Sequence, residues 1–463
     1  MAEEQAGVDR ISAFLRGNLD DIVARLSTGV AIPSVSADPE RAGDLARSAR
    51  WIAGELREVG LTTTLLPAGD SVTVFAETEA VPGAPTVLVY SHHDVRAAKP
   101  EEWAETAPFT PVRRDNRLYG RGASDAKGQV LAHVWALRAL AAVDGAPGLT
   151  VKLLIDGEEE IGSPHLLRLL DDDPERFACD LVVFSDTIQW RADAPAPVTS
   201  MRGTVTATLT VHGPARDVHS GAASGVTLNP ALALARVLAG MHDAAGRIAV
   251  PGLLDRVAPT SPQRAAELAA LPFDEADWLE RTETRAVVGE PGHTVPERLW
   301  TRPAIEVISL LAGDPDGLER SVIPREATAS LSVRTVPGQR IPEVVEHLRA
   351  YVAAAMTDGA SYTFEADEDI AQEPYSSPDD AVLDALERAL ALGYGLPVRG
   401  RMGNAGGGPA EWLSGRLGAP VYFLGTGLPE DHWHASDESI DLDMLVRGAA
   451  TIAHLWRELR PPR

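Results

Sequence analysis

Cysteine is nearly missing from the 463-residue chain, which has Cys179 alone. That excludes an intramolecular disulfide and any thiolate-rich zinc site. Cys179 just precedes an apolar run at Leu181, a place that suits a small buried hydrophobe better than a nucleophile. Positive charge is the next shortage: 42 Lys and Arg stand against 67 Asp and Glu, a net charge of −25. A surface of that sign repels phosphate, which argues against nucleic acid or an anionic membrane as partner. No apolar run reaches the roughly 18 residues that a membrane helix needs. The acidic start, Met1-Ala2-Glu3-Glu4-Gln5, lacks the apolar stretch of a secretory signal, so a cytoplasmic location is the simplest expectation. What remains is ordinary soluble composition, 44% hydrophobic and 24% charged, in a chain long enough for two or more domains.

Apolar spacing predicts a helix over residues 8–26 and a second over 45–59, stopped at Gly60. Strands follow at 62–66, 71–76 and 86–90, then a helix over 127–143 and strands at 151–155 and 181–184. Strands that alternate with helices predict an α/β fold with a mainly parallel, doubly wound sheet. At Arg191-Ala192-Asp193-Ala194-Pro195-Ala196-Pro197 the composition turns to Ala and Pro, as at a domain crossing. Beyond it, residues 203–211 and 328–334 alternate like strands exposed on one face, with helices at 229–242 and 341–356. A second crossing falls near Gln372-Glu373-Pro374-Tyr375-Ser376-Ser377-Pro378, after which the helix 379–392 and strand 420–424 return to buried character. The reading is therefore an α/β domain built from residues 1–202 and 371–463, interrupted by an α+β domain over 203–370.

The strand at 151–155 runs into Asp156-Gly157-Glu158-Glu159-Glu160-Ile161-Gly162, an acidic block at the end of a buried strand. Such a block either points into water or faces a cation. The strand at 86–90 runs into Ser91-His92-His93-Asp94, where His92 and Asp94 share a face of extended backbone. Phe184-Ser185-Asp186 sets another carboxylate past a strand end. Ligands of open α/β sheets bind at the carboxyl ends of strands, so His92, Asp94, Glu159, Glu160 and Asp186 converge on one edge. Two loops add candidates. In Tyr119-Gly120-Arg121-Gly122-Ala123-Ser124-Asp125-Ala126-Lys127-Gly128, Asp125 is either a ligand or a helix cap. In Asp431-His432-Trp433-His434-Ala435-Ser436-Asp437-Glu438, either histidine is a candidate.

In order and spacing, His92-x-Asp94, Gly120-Arg121-Gly122-x-x-Asp125-x-Lys127-Gly128, Glu159-Glu160-x-Gly162, Ser185-Asp186 and His434-x-x-x-Glu438 resemble the M20 family of co-catalytic zinc metallopeptidases. Asp217-Val218-His219-Ser220-Gly221, Trp300-Thr301-Arg302-Pro303, Val322-Ile323-Pro324-Arg325 and Val333-Arg334-Thr335-Val336-Pro337 resemble its carnosine-dipeptidase-like branch. The resemblance implies two divalent ions bridged by Asp125, one also held by His92 and Asp186, the other by Glu160 and His434. Zinc suits these nitrogen and oxygen ligands, with manganese or cobalt as alternatives. It implies Glu159 as the general base on a bridging water and Asp94 as the residue that fixes His92. His219 would stabilise the oxyanion, often across a homodimer made by the inserted lid domain, and Arg334 would pair with the substrate's free carboxylate. The spacing to Asp94 favours His92 over His93, and the following Ser436-Asp437-Glu438 favours His434 over His432. The loop Gly403-Asn404-Ala405-Gly406-Gly407-Gly408-Pro409 can offer backbone N–H groups to an anion, although the serine usual there is absent. The expected reaction is hydrolysis of dipeptides or short peptides. An N-acyl amino-acid deacylase is the alternative with the same chemistry, and a metal-free binding protein on the same fold is the remote one.

Overall fold

The computed structural model describes residues 2–313, 317–318, 320–357 and 359–461. Its centre is a nine-stranded sheet, in the order Thr62–Ala68, Ser71–Glu77, Thr150–Asp156, Thr86–His92, Leu181–Phe184, Val421–Phe423, Val198–Met201, Tyr375–Ser376, with Met402–Asn404 beside Val198–Met201. Thr86–His92 lies parallel to both of its neighbours, and Leu181–Phe184 parallel to Val421–Phe423. The other pairs toward the two margins are antiparallel, except that Met402–Asn404 lies parallel to Val198–Met201. The middle strands are apolar on successive residues because both faces are covered. Val87, Val89, Val151, Leu153 and Ile155 enter one core, and Leu88, Tyr90 and Leu154 enter the other.

Helices Ala42–Glu58, Lys127–Asp144, Ala381–Tyr394 and Leu442–Leu459 close the first face. Lys127–Asp144 is buried on nearly every side, which explains why its sequence reads as apolar rather than amphipathic. The helix expected over 8–26 is two helices, Ala2–Gly17 and Leu19–Val30. Asn18 breaks it: its side-chain amide donates to the Phe14 carbonyl at 2.7 Å, and its own backbone is not helical.

A separate four-stranded antiparallel sheet runs Ala304–Ala312, Glu326–Thr335, Gly203–His212, Ser361–Ala366. Gly203–His212 and Glu326–Thr335 alternate buried and exposed positions, as their sequences predict. Their inner residues, with helices Pro230–Ala239 and Ile341–Ala355, make a core of their own. The 203–370 segment also touches the large sheet. Leu268, Leu271 and Trp300, from or beside its short helices, sit in one core with Phe184 and Phe423. Two strands of this sheet lacked a sequence signal. Ala304–Ala312 is an unalternating apolar run at a sheet edge, with Ile308, Leu310 and Leu311 exposed. Ser361–Ala366, at the opposite edge, is partly exposed throughout.

Candidate metal centre

The strand Thr86–His92 ends on His92 itself, so the imidazole projects from the carboxyl edge of the sheet. Its neighbour Thr150–Asp156 leads into a single 3₁₀ turn, Glu159–Ile161, which lifts Glu159 and Glu160 to the same edge. Asp186 follows the end of Leu181–Phe184. Asp125 stands before helix Lys127–Asp144 and does not cap it. Its carboxylate bridges two histidines: Oδ1 is 3.0 Å from His92 Nε2, and Oδ2 is 2.9 Å from His434 Nε2. His434 Nε2 also lies 3.3 Å from Glu160 Oε2. Ligand-type atoms of His92, Glu159 and Asp186 lie within 4.8 Å of one another, as do those of His92, Asp125 and Glu160.

Which of the paired histidines faces the site is settled by geometry. His93 turns away and its Nε2 meets the Val72 carbonyl at 2.8 Å, whereas His432, although it lines the cleft, has its Nε2 3.9 Å from Glu283 and makes no ion pair with the clustered carboxylates among the described residues. Asp94 holds the frame from below. It accepts the backbone N–H groups of Glu159 and Glu160 at 3.2 and 3.0 Å, and its Oδ1 lies 3.3 Å from His92 Nδ1. Glu438 holds Asp125 by accepting the N–H groups of Gly122, Ser124 and Asp125, each at 3.0 Å, while Arg121 donates to it at 2.7 Å.

Five carboxylates crowd this buried edge (Asp94, Asp125, Glu159, Glu160 and Asp186) with few cations among them. Burial, and then the nearby Asp186, push Glu159 well above the ordinary carboxylate range. Burial likewise raises Glu160 and Asp186. Burial opposes ionisation of Asp125 too, but hydrogen bonds from His434 and His92 more than offset it and hold the group low. Burial lowers His92, yet Asp186, Asp125 and Asp94 outweigh that and raise it. The donor set fits a divalent cation: Glu160 Oε1 and Asp186 Oδ1 are buried without a hydrogen-bond partner among the described residues.

Above these residues opens a cleft of about 1160 Å³ between the two sheets. Thr204, Ser332 and Arg334 line it from the smaller sheet, and Asn404 to Gly407 from the larger. Arg334 makes no hydrogen bond or ion pair with another described residue, and burial alone lowers its pKa.

Residues 88–458 match the model of peptidase family M20/M25/M40. The chain belongs to this family. It is similar to the cysteinylglycine-S-conjugate dipeptidase of Corynebacterium striatum, 29% identical over 438 residues that cover 92% of this chain and 93% of the relative. Among solved structures, the dipeptidase Dug1p of Saccharomyces cerevisiae has a TM-score of 0.87 at 23% identity, over 98% of this chain and 99% of that one. Human carnosine dipeptidase 1 has a TM-score of 0.85 at 24% identity, over 98% and 99%. These two likenesses show the fold, as the resemblance to the carnosine-dipeptidase-like branch implied.

Within this M20 peptidase, one sequence candidate stands apart. His219 is exposed in the short strand Val218–His219, which pairs with Val322–Ile323, and it does not line the cleft. Several residues of the site carried no usable sequence signal. Arg96 follows the histidine strand and places Nε 2.7 Å from Glu160 Oε2. Asp431 accepts from the Ser124 hydroxyl at 2.6 Å and pairs with Arg117, and Trp433 Nε1 donates to the same hydroxyl at 2.8 Å. Cys179 is partly buried in apolar surroundings and its thiol is pushed up to about 12, in keeping with a packing role.

Proposed function

We propose that the chain hydrolyses the peptide bond of dipeptides and short peptides with a free C-terminal carboxylate, with two divalent ions held at the edge just described. His92, Asp186 and Asp125 would hold one ion, and Glu160, His434 and Asp125 the other. The observation that carries this reading is the pair of buried carboxylate oxygens without a hydrogen-bond partner among the described residues, Glu160 Oε1 and Asp186 Oδ1, set among two histidines and a bridging aspartate. Zinc suits such donors best, with manganese and cobalt acceptable. When bound, the ions polarise the scissile carbonyl and make a water acidic enough to attack near neutral pH.

Glu159 takes the proton of that water and returns it to the leaving amine. Support comes from its half-buried position against Asp186 and His92 at the mouth of the cleft. Asp94 fixes both the His92 ring and the backbone that carries Glu159. Arg334 pairs with the substrate carboxylate, because a half-buried guanidinium in a cleft wall, without a partner among the described residues, favours an anion.

Residues 203–370 form the lid in this reading and pair two chains as a homodimer. Support for pairing is the unpaired edge of Ala304–Ala312, where Ile308, Leu310 and Leu311 are 55–60% exposed. His219 then reaches an oxyanion only in the site of the partner subunit, which agrees with its exposure away from its own cleft. No described helix is long and apolar enough to cross a membrane, and the composition suits the cytoplasm.

The test is metal content by mass spectrometry, with hydrolysis of dipeptides and of N-acyl amino acids assayed before and after chelation. Two ions per chain and dipeptide cleavage that chelation removes and metal restores are expected. Cleavage confined to N-acyl amino acids would establish a deacylase instead. A protein that binds no zinc, manganese or cobalt would defeat the hydrolytic reading.

A further inference from the structure

The two halves of the carboxylate edge are not equivalent. On the Asp186 side, His92 is fully buried and fixed at the end of a sheet strand, and its Nε2, 3.6 Å away, is the ion-pair partner of Asp186 Oδ1 among the described residues. On the Glu160 side, His434 is half-exposed. It sits on a loop whose residues 432, 434 and 437 all have left-handed backbones. There a second cation is already present: Arg96 Nε lies 2.7 Å from Glu160 Oε2, nearer than His434 Nε2 at 3.3 Å. Glu160 is 2% exposed, so its ionised form needs a counter-ion whether or not metal is bound. Arg96 is 47% exposed and stands in the cleft wall, so it is free to swing into solvent.

We propose that Arg96 is an internal counter-ion that competes with the cation of the Glu160–His434 half-site. A divalent ion entering there must displace the guanidinium from Glu160 Oε2, and among the described residues no arginine pairs with Asp186 at the other half. The two ions are therefore held unequally: the Glu160–His434 ion binds more weakly and leaves first when metal is scarce. This inference rests on the dinuclear reading of the site but not on its substrate. A released Arg96 carries its charge into the cleft only when the metal is in place, which couples metal loading to the cleft's electrostatics.

The experiment equilibrates the metal-loaded full chain in graded zinc buffers and counts bound zinc by mass spectrometry. Wild type should lose zinc in two separated steps, and His434→Ala should remove only the weaker one. In Arg96→Gln the weaker step should tighten by about tenfold, while Arg96→Lys, which keeps a charge on a shorter reach, should fall between. Thermal unfolding supplies a second readout: the zinc-free Arg96→Gln chain should melt lower than zinc-free wild type, and the zinc-loaded pair should melt together. A weaker step that is unchanged in Arg96→Gln overturns the proposal, as does a wild type that loses both ions in one step. Two-step loading that Arg96→Gln compresses, in a protein that cleaves no dipeptide, upholds this inference and defeats the hydrolytic one.

Discussion

Glu438 Oε1 accepts the backbone N–H of Asp125 at 3.0 Å, although 313 positions separate the two residues in the chain. The same carboxylate takes the N–H groups of Gly122 and Ser124 and the Arg121 guanidinium, and it is fully buried. The position of Asp125 between His92 and His434 thus depends on a group that need not touch metal. Glu438→Gln replaces one acceptor oxygen by an amide donor that faces backbone N–H groups, and it strips Arg121 of its counter-charge. Breaking a buried ion pair on one side costs about 3–5 kcal/mol. The variant should melt well below wild type and retain less metal. Unchanged melting and unchanged metal content would show that the cradle is dispensable.

Glu159→Gln keeps shape and removes basicity. Loss of a general base costs about 10²–10⁴ in rate. The variant should therefore lose turnover by at least a hundredfold on a dipeptide, with metal content equal to that of wild type. A variant of near-normal rate would rule out Glu159 as base; one that loses metal would make it a ligand.

How far the sequence discloses this site depends on the range of each interaction. Strand ends and short motifs are local, so His92, Asp94, Glu159, Glu160 and Asp186 are found by following apolar runs to where they stop. The choice between His92 and His93 follows from the alternation of extended backbone, and Val72 accepts the one that turns away. Arg96 is invisible because no pattern marks a residue that folds back on an acid 64 positions later. The Ser124–Asp431 bond spans 307 positions and joins two loops without periodicity. Asn18 escapes for the opposite reason: the apolar spacing runs straight through it, while a single side-chain hydrogen bond breaks the helix. The edge strand Ala304–Ala312 hides because exposed apolar residues destroy the alternation that marks a strand.

Arg334→Ala should separate substrates by charge. A hydrogen bond to a charged group contributes about 1.5–3 kcal/mol, or roughly ten- to a hundredfold. kcat/KM on a free dipeptide should fall by that factor, and on the corresponding C-terminal amide, already a poor substrate, it should barely change. An equal loss on both would assign Arg334 to the packing of the Glu326–Thr335 strand rather than to the carboxylate.

The response to acid has a source outside the carboxylate edge. His133 is buried on helix Lys127–Asp144, against the Trp456 ring at 6.3 Å, and neither ring nitrogen has a hydrogen-bond partner among the described residues. Burial lowers its pKa to about 3, and burial also lowers His454, on helix Leu442–Leu459, to about 4. The unfolded chain takes up these protons near pH 6.5 and the folded chain does not, so the unfolded state binds more protons between pH 6.5 and the folded value. Stability therefore falls as pH drops below about 6.5, by about 2 kcal/mol for His133 at pH 5. His133→Leu, of similar volume, removes that term and leaves no buried polar atom. Urea unfolding at pH 7 and pH 5 should show a smaller acid loss in the variant, by about that amount. Equal losses in the two proteins would mean that His133 is protonated within the fold, and the helix would have to open to admit the charge.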